Sequence, residues 1–93
     1  MLFMVIERFK NRDARAVYAR ARERGRMLPE GVTYVTSWVE QSFDRCFQVM
    51  ECDDVRMLHE WAAHWNDLVE FEFVPVMTSA EAAALQASGG KGA

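Results

Sequence analysis

The stretch TYVTSWVEQSFDRCFQVMEC, residues 33–52, contains two strand-like runs that are separated only by a short polar turn. Both runs are rich in β-branched and aromatic residues, and the QSFD segment between them is typical of a turn. We therefore predict a hairpin, with strands at residues 32–40 and 45–52. Because this hairpin lies in the middle of the chain, the fold class depends on which elements precede and follow it.

A strand and a helix precede this hairpin. The segment LFMVIERF, residues 2–9, is predicted to be a strand from its density of apolar residues, and Asn11 and Asp13 are good helix N-caps. In ARAVYARARER, apolar positions recur at spacings of three and four while arginines occupy the other sides. The apolar positions are Ala14, Val17, Tyr18 and Ala21. Gly25 is the expected C-terminal stop of this helix.

A helix, a strand and a short helix follow the hairpin. Asp53 or Asp54 can cap the second helix. Its predicted apolar stripe consists of Val55, Leu58, Ala62 and Trp65, flanked by Met57 and Trp61. The segment LVEFEFVPV alternates apolar and acidic residues like a half-buried strand, in which Pro75 marks an edge or the strand's end. Thr78 and Glu81 form the capping-box pattern of a terminal helix.

The resulting order is strand, helix, strand, strand, helix, strand, followed by a short helix. This order predicts a ferredoxin-like α+β fold, βαββαβ, with an antiparallel sheet and both main helices on one face. Ninety-three residues suit a single domain, which we place at residues 1–87, with a disordered tail at 88–93. The apolar N-terminal run ends at Ile6 without basic residues ahead of it, so it predicts neither a signal peptide nor a membrane span. We expect a cytoplasmic protein without membrane contact.

The two faces of the predicted sheet differ in what can cover them. The residues expected to face the helices are Val35, Val39, Phe47, Val49, Phe71 and Phe73. By alternation, the opposite face collects Met4, Ile6, Tyr34, Thr36, Trp38, Cys46, Gln48, Met50, Glu70 and Glu72. An isolated domain would expose this face to water, for which the mixture is too apolar. The pattern therefore favours a homodimer that packs through this sheet face.

Five segments of the sequence resemble a known family: MLFMVIERF, RERGRMLPEGVTYVTSWVE, RCFQVMECDD, EWAAHWNDLVEFEFVPV and TSAEA. They look like the family catalogued as domain of unknown function 3303, and the resemblance runs from Met1 to about Ala83. It implies a fold similar to the dimeric α+β barrels and a sheet-to-sheet dimer, without conferring catalytic residues. That superfamily includes cofactor-free monooxygenases, small isomerases and stress-response proteins, whose functions do not transfer by fold.

The cysteine and histidine positions argue against a disulfide and against a metal site. Cys46 and Cys52 would lie about 20 Å apart along an extended strand, beyond the reach of a disulfide, so we expect reduced thiols. His59 and His64 are five residues apart on a helix and point about 140° apart, so they cannot bind one metal ion together. Since no CxxC pair is present, we expect no zinc, and no other cofactor is indicated.

Charge is unevenly distributed along the chain. Residues 1–26 carry eight basic and three acidic side chains, whereas the rest of the chain carries three and eleven. The basic segment raises nucleic-acid binding as a hypothesis. RNA-recognition motifs of this topology stack bases on strand aromatics, but the third strand here reads RCFQVMEC and the adjacent edge carries Glu70 and Glu72. We expect no nucleic-acid partner and interpret the arginines of the first helix as a solvated face, with an acidic partner as the alternative.

Carboxylates offer two catalytic interpretations. A histidine could pair across the fold with Glu40, Glu51 or Glu72 as an acid/base couple. Glu70 and Glu72 lie on the same side of their strand, about 7 Å apart, like a pair of catalytic carboxylates. Solvated strand carboxylates are the simpler interpretation of both.

The tryptophans are the candidate walls of a ligand site. Trp38, Trp61 and Trp65 could line a pocket for a small hydrophobic ligand, with Tyr34 and Gln48 as its polar groups. Packing in the core and in the interface is the alternative for the same residues. The candidate residues for ligand binding or for the interface are Tyr34, Trp38, Cys46, Gln48, Met50, His59, His64 and Glu72.

The sequence leaves two hypotheses for the function, which belong to different classes. A P-loop, a dinucleotide-binding glycine motif and a serine nucleophile elbow are all absent from the sequence. The preferred hypothesis is a non-catalytic or ligand-sensing homodimer with a binding or regulatory role, and the alternative is a cofactor-independent, monooxygenase-like or isomerase-like enzyme acting on a small hydrophobic metabolite. A ligand-sized void that holds a histidine or carboxylate with a strongly shifted pKa would favour the enzyme, and a filled interior would favour the binding protein.

Overall fold

The computed structural model describes residues 1–88, which form four strands and three α-helices in the predicted order. The elements are β1 (Leu2–Phe9), α1 (Ala14–Arg24), β2 (Thr33–Val39), β3 (Arg45–Glu51), α2 (Val55–Ala62), β4 (Val69–Val76) and α3 (Ser79–Ala87). A short 3₁₀ turn, Lys10–Arg12, joins β1 to α1. The βαββαβ order with a C-terminal helix confirms the ferredoxin-like α+β fold.

The four strands form one antiparallel sheet in the order β2-β3-β1-β4. Strand β1 lies in the centre, where Val5 pairs with Gln48 of β3 and with Phe73 of β4. Strands β2 and β4 are the edges, so Pro75 lies near the end of an edge strand, as predicted. A proline there costs no internal ladder bond, because its missing N–H can face away from the sheet.

The helix boundaries follow local capping signals in the sequence. The side chain of Asp13 accepts a hydrogen bond from the Ala16 N–H at 3.2 Å, and Asp54 accepts one from Arg56 at 2.9 Å. Gly25 ends α1 with a φ of 69°, a left-handed conformation that glycine adopts without strain. The predicted capping box at the start of α3 is formed in both directions by Thr78 and its partner three residues later.

The hydrophobic core lies between one face of the sheet and the helices α1 and α2. Val5 and Leu58 are completely buried at its centre. Other core members are Phe3, Phe9, Val17, Met50, Trp61, Trp65 and Val69. Phe71 packs edge-on against Trp61, with ring centres 5.3 Å apart, which confirms that this part of β4 faces the helices.

An ion pair joins α1 to the turn after α2. Arg20 donates two hydrogen bonds to the Asp67 carboxylate, both at 2.7 Å, and a third to the backbone carbonyl of His64 at 3.0 Å. This bidentate geometry lowers the pKa of Asp67 to about 2. The arginines of α1 are therefore not uniformly solvated, since this one holds the helix against the rest of the domain.

The predicted faces of β3 and of the start of β2 are wrong. Cys46, Gln48 and Met50 are buried on the helix side, because they pair with β1 residues that face the helices. Tyr34 is opposite Met50 and lies on the same side, since the pairing register shifts between Tyr34 and Thr36. Val35, at that irregularity, is 51% exposed instead of packed against the helices. Each error is a one-residue slip in alternation, which moves a side chain to the other face.

We call the sheet face opposite the helices the open face. It consists of Leu2, Met4, Ile6, Thr36, Trp38, Phe47, Val49, Glu70, Glu72, Val74 and Val76. The prediction that Met4, Ile6, Thr36, Trp38, Glu70 and Glu72 face away from the helices is therefore confirmed. Most of these side chains are half-buried by their neighbours, whereas Trp38 is 58% exposed.

Helix α3 stands apart from the core. None of its residues is buried, and Leu85 is 55% exposed. Ser88, the first residue of the predicted disordered tail, caps α3, and residues 89–93 lie outside the described part of the chain. Within residues 1–88, every helix is too short or too polar to cross a membrane.

Candidate ligand-binding cavity

A cavity of about 250 Å³ lies between the helix side of the sheet and α1. We call it the Glu7 cavity. Buried residues form its inner part, namely Glu7, Phe9, Val17, Cys46, Gln48, Trp61 and Trp65. Exposed residues form its outer rim, namely Tyr18, Gly25, Arg26 and Val39. The cavity is half open to solvent, and most of its lining is apolar.

Glu7 is the buried carboxyl group of this cavity. The alternation of β1 directs it to the helix side together with Phe3, Val5 and Phe9, and its side chain is only 6% exposed. Burial raises the pKa of Glu7 from its usual 4.5 to about 7, against the opposing effects of a hydrogen bond from Gln48 and the charge of Arg26. Near neutral pH this group is therefore present in both the protonated and the ionised form.

Gln48 lies opposite Val5 on the neighbouring strand and is 7% exposed. Its amide nitrogen donates a hydrogen bond to the Glu7 carboxylate. Among the described residues, the amide oxygen of Gln48 has no hydrogen-bond partner. A buried acceptor that stays unpaired costs about 1–3 kcal/mol, so this oxygen lowers the stability of the fold.

The segment after α1 fixes the rim of the cavity. The backbone carbonyl of Arg26 accepts hydrogen bonds from the indole N–H groups of Trp61 and Trp65, at 2.8 and 3.2 Å. The Arg26 guanidinium lies over the ring of Tyr34, 3.7 Å from its centre. Since both indole N–H groups are engaged, the two tryptophans contribute mainly apolar surface to the cavity.

The two cysteines are free and buried thiols. Cys46 lines the cavity, where burial, with a further contribution from the Glu7 charge, raises its pKa to about 12. The thiol of Cys52 donates a hydrogen bond to the carbonyl of Asp54 at 3.4 Å. A thiol with so high a pKa is a poor nucleophile at neutral pH, so Cys46 contributes packing to the site.

The structure does not gather the eight predicted site residues into one place. Cys46 and Gln48 line the cavity, Met50 lies in the core, and Tyr34 contacts the cavity rim through Arg26. Trp38 and Glu72 lie on the open face, outside the cavity. His59 packs edge-on against Phe73 with ring centres 4.9 Å apart, and His64 is an exposed residue of the turn after α2.

The remaining candidate residues lie in separate parts of the fold. Trp61 and Trp65 line a pocket, as suggested, whereas Trp38 does not. Glu40 forms an ion pair with Arg45 at 2.8 Å, so its carboxylate is already engaged. Glu70 and its neighbour two residues on are exposed on one side of β4. In the part of the chain that the structure describes, three or more His, Cys, Asp or Glu side chains do not come together in a way that could hold a metal ion.

Glu7 and Arg26 are the site residues that sequence reasoning missed. A signal for Glu7 exists in LFMVIERF, because Glu7 is the only acid there and shares its strand face with Phe3, Val5 and Phe9. An acid on the core face of a central strand is uncommon and needs an explanation. Arg26 carries no such signal, since its role depends on contacts with Trp61 and Trp65, which are more than thirty residues away.

Comparison with known proteins places the chain in a family. No significant match exists to a curated protein or to a solved structure. Residues 1–90 match the family described as domain of unknown function (DUF3303). Because the match covers almost the whole sequence, the chain belongs to the DUF3303 family.

Proposed function

We propose that this protein is a small homodimer that binds a small, largely apolar molecule in the Glu7 cavity. The observation that carries this proposal is a half-open cavity of about 250 Å³ with aromatic walls and one buried polar pair, Glu7 and Gln48. Small-molecule sites typically combine apolar walls with a few fixed polar groups, in volumes from roughly 300 Å³ upward. The cavity lies just below that range, so it suits a compact ligand.

The open face supports the homodimer part of the proposal. Its central positions are apolar, with Met4, Ile6, Phe47 and Val49 on neighbouring strands and Trp38 at one side. A second copy of the chain can cover this face by two-fold symmetry, since each copy presents the same surface. The arrangement would be a dimeric α+β barrel, in which two open faces pack against each other. A role in the cytoplasm agrees with two buried cysteines that remain free thiols.

A second candidate function is a cofactor-independent enzyme, and a cavity that holds a carboxyl group with a raised pKa is the arrangement expected for it. A carboxyl group with a pKa of about 7 can both accept and return a proton at neutral pH, which is what general acid/base catalysis needs. An isomerase-like reaction would use Glu7 to remove a proton from one carbon of the bound molecule and return it to another. The same cavity would serve both functions, so ligand binding is the first property to test.

The experiment is a screen of small aromatic and alicyclic compounds, read by ligand-observed NMR. Ala21→Trp places a large side chain on α1 at the cavity wall, and we expect it to abolish binding. Ala19→Trp, on the exposed side of the same helix, is the matched control and should retain binding. Binding that survives Ala21→Trp, or a screen without any hit, would refute the proposal. Turnover of a hit by the wild type but not by Glu7→Gln would establish the enzyme.

A further inference from the structure

Arg26 brings a positive charge to the mouth of the Glu7 cavity. Its guanidinium lies over the ring of Tyr34, and the Tyr34 hydroxyl is 2.7 Å from the hydroxyl of Ser37, which lines the cavity. The charge of Arg26 also opposes the rise in pKa of two lining groups, Glu7 and Cys46. Since a charge shifts the pKa only of groups near it, the guanidinium lies on the cavity side of the rim.

Both the backbone and the side chain of Arg26 are held in place. Its backbone carbonyl accepts hydrogen bonds from the indole N–H groups of Trp61 and Trp65, and its guanidinium is 3.7 Å from the ring centre of Tyr34. Such a contact uses the flat face of a guanidinium and leaves the N–H groups at its edge able to donate. A side chain that is already held loses less conformational freedom when it binds a ligand.

The guanidinium of Arg26 has no carboxylate within ion-pair distance among residues 1–88. The ion pairs of this part of the chain engage five other arginines, namely Arg12, Arg20, Arg24, Arg45 and Arg56. A guanidinium offers parallel N–H donors in a planar fork, which fits the two oxygens of a carboxylate. Arg26 is therefore suited to bind a carboxylate that a ligand supplies.

The rest of the cavity is suited to an apolar ring. Its walls include the apolar side chains of Phe9, Val17, Trp61 and Trp65. An apolar cavity of roughly 150 Å³ can hold benzene, so about 250 Å³ gives room for one substituted ring. Because the cavity is half open to solvent, a charged group at its mouth keeps part of its hydration, and only the ring is removed from water.

Resting on the proposed function, we infer that the ligand is an aromatic or alicyclic monocarboxylate, whose ring lies in the Glu7 cavity and whose carboxylate binds the Arg26 guanidinium at the rim. A single negative charge matches the single guanidinium, whereas a dianion would bring an excess of negative charge towards Glu7. Burial keeps a large share of Glu7 protonated near neutral pH, which limits its repulsion of the ligand. Arg26 thus selects an anionic ligand and fixes its orientation.

The test compares para-toluate with para-toluamide, which have nearly the same shape and differ in charge. We expect the wild-type protein to bind para-toluate about tenfold more tightly, because its hydrogen bonds to Arg26 are charge-assisted. Arg26→Met removes the guanidinium but keeps the backbone carbonyl that holds Trp61 and Trp65, so this preference should disappear. Arg22→Met removes one positive charge from an exposed position of α1 outside the cavity, and should retain the preference. Arg26→Gln is the second variant if Arg26→Met does not fold.

The outcomes separate this inference from the proposed function. A general defect in the cavity would weaken both compounds without changing their ratio. Equal binding of the two compounds to the wild type, or an unchanged preference in Arg26→Met, would overturn the role of Arg26. Failure of both compounds to bind while the compound screen yields other hits would also overturn the inference, and would leave the proposed function standing. A screen without any hit would refute the proposed function itself.

Discussion

Glu7 and Gln48 depend on each other at the level of single residues. Each is more than nine-tenths buried, and each occupies a position that an apolar side chain would fill in an ordinary core. Their mutual hydrogen bond offsets part of the cost of removing them from water, but the amide oxygen of Gln48 stays unpaired among the described residues. Stability is thus lower than a fully apolar pair would give, which agrees with the proposed binding role of the Glu7 cavity.

Glu7→Gln should alter how stability depends on pH. Between pH 4.5 and about 7 the unfolded chain ionises Glu7 while the folded protein keeps it protonated, so the free energy of unfolding falls as pH rises. At about 1.4 kcal/mol for each pH unit, the wild type loses roughly 3 kcal/mol over this range. The variant lacks this loss, so its stability relative to the wild type should rise by a similar amount between about pH 4.5 and pH 8.

Urea denaturation at several pH values measures this difference. Glu30→Gln, at an exposed position, is the matched control and should retain the wild-type dependence on pH. A Glu7→Gln variant that follows the wild type over the whole range would show that the folded protein does not keep Glu7 protonated. The Glu7 cavity would then be more strongly hydrated than its lining suggests.

At the scale of elements, features set by local contacts were predictable from the sequence, whereas features set by long-range contacts were not. The starts of α1, α2 and α3 were predictable because a capping side chain and its backbone partner lie within three residues of each other. The face of β3 was not predictable, because hydropathy alternation suggests that Phe47 and Val49 are the core residues. Gln48 faces the helices because β3 pairs with β1 in a register that places it opposite Val5, and Glu7, forty-one residues earlier, accepts a hydrogen bond from its amide. No pattern within a strand contains that information.

Two capping substitutions should have different effects on stability. Asp13→Ala removes the cap of α1, which packs into the core through Val17, so the free energy of unfolding should fall by about 1 kcal/mol. Thr78→Ala removes the equivalent cap of α3, which buries no residue, so global unfolding should be almost unchanged while the α3 amides exchange hydrogen faster. Chemical denaturation and hydrogen exchange measure the two quantities.

Equal effects of the two capping substitutions on the free energy of unfolding would contradict this prediction. A loss of stability in Thr78→Ala as large as that in Asp13→Ala would mean that α3 packs against the folded protein in solution. Its exposed Leu85 would then be the residue to replace next, since it is the largest apolar side chain of that helix.

At the scale of the whole molecule, one layer of helices covers one side of one sheet. The described fold is thin, with a smallest dimension of 17 Å, which leaves room for only these two layers. The cavity lies between the layers, whereas the open face lies outside them. The proposed ligand site and the proposed dimer interface therefore lie on opposite sides of the sheet, and a substitution on the open face should leave the cavity intact.

Trp38→Glu should convert the dimer into a monomer. Trp38 is 58% exposed and pairs with Phe47, which in turn lies beside Ile6 at the centre of the open face. A glutamate there would place an unpaired charge in the proposed dimer interface, at a cost of several kcal/mol of association free energy. Light scattering at micromolar concentration should show a dimer for the wild type and a monomer for the variant. Phe43→Glu, an exposed aromatic of the β2–β3 turn, is the control and should remain dimeric.

Ligand binding by the same variant separates the two sides of the sheet. A monomeric Trp38→Glu protein that still binds a hit of the compound screen would show that each chain holds a complete site, because the Glu7 cavity is formed by residues of a single chain. A wild-type protein that is monomeric at micromolar concentration would refute the dimer itself. A Trp38→Glu variant that stays folded and dimeric would instead show that the two copies meet through another surface, for which the exposed helix α3 is the first candidate.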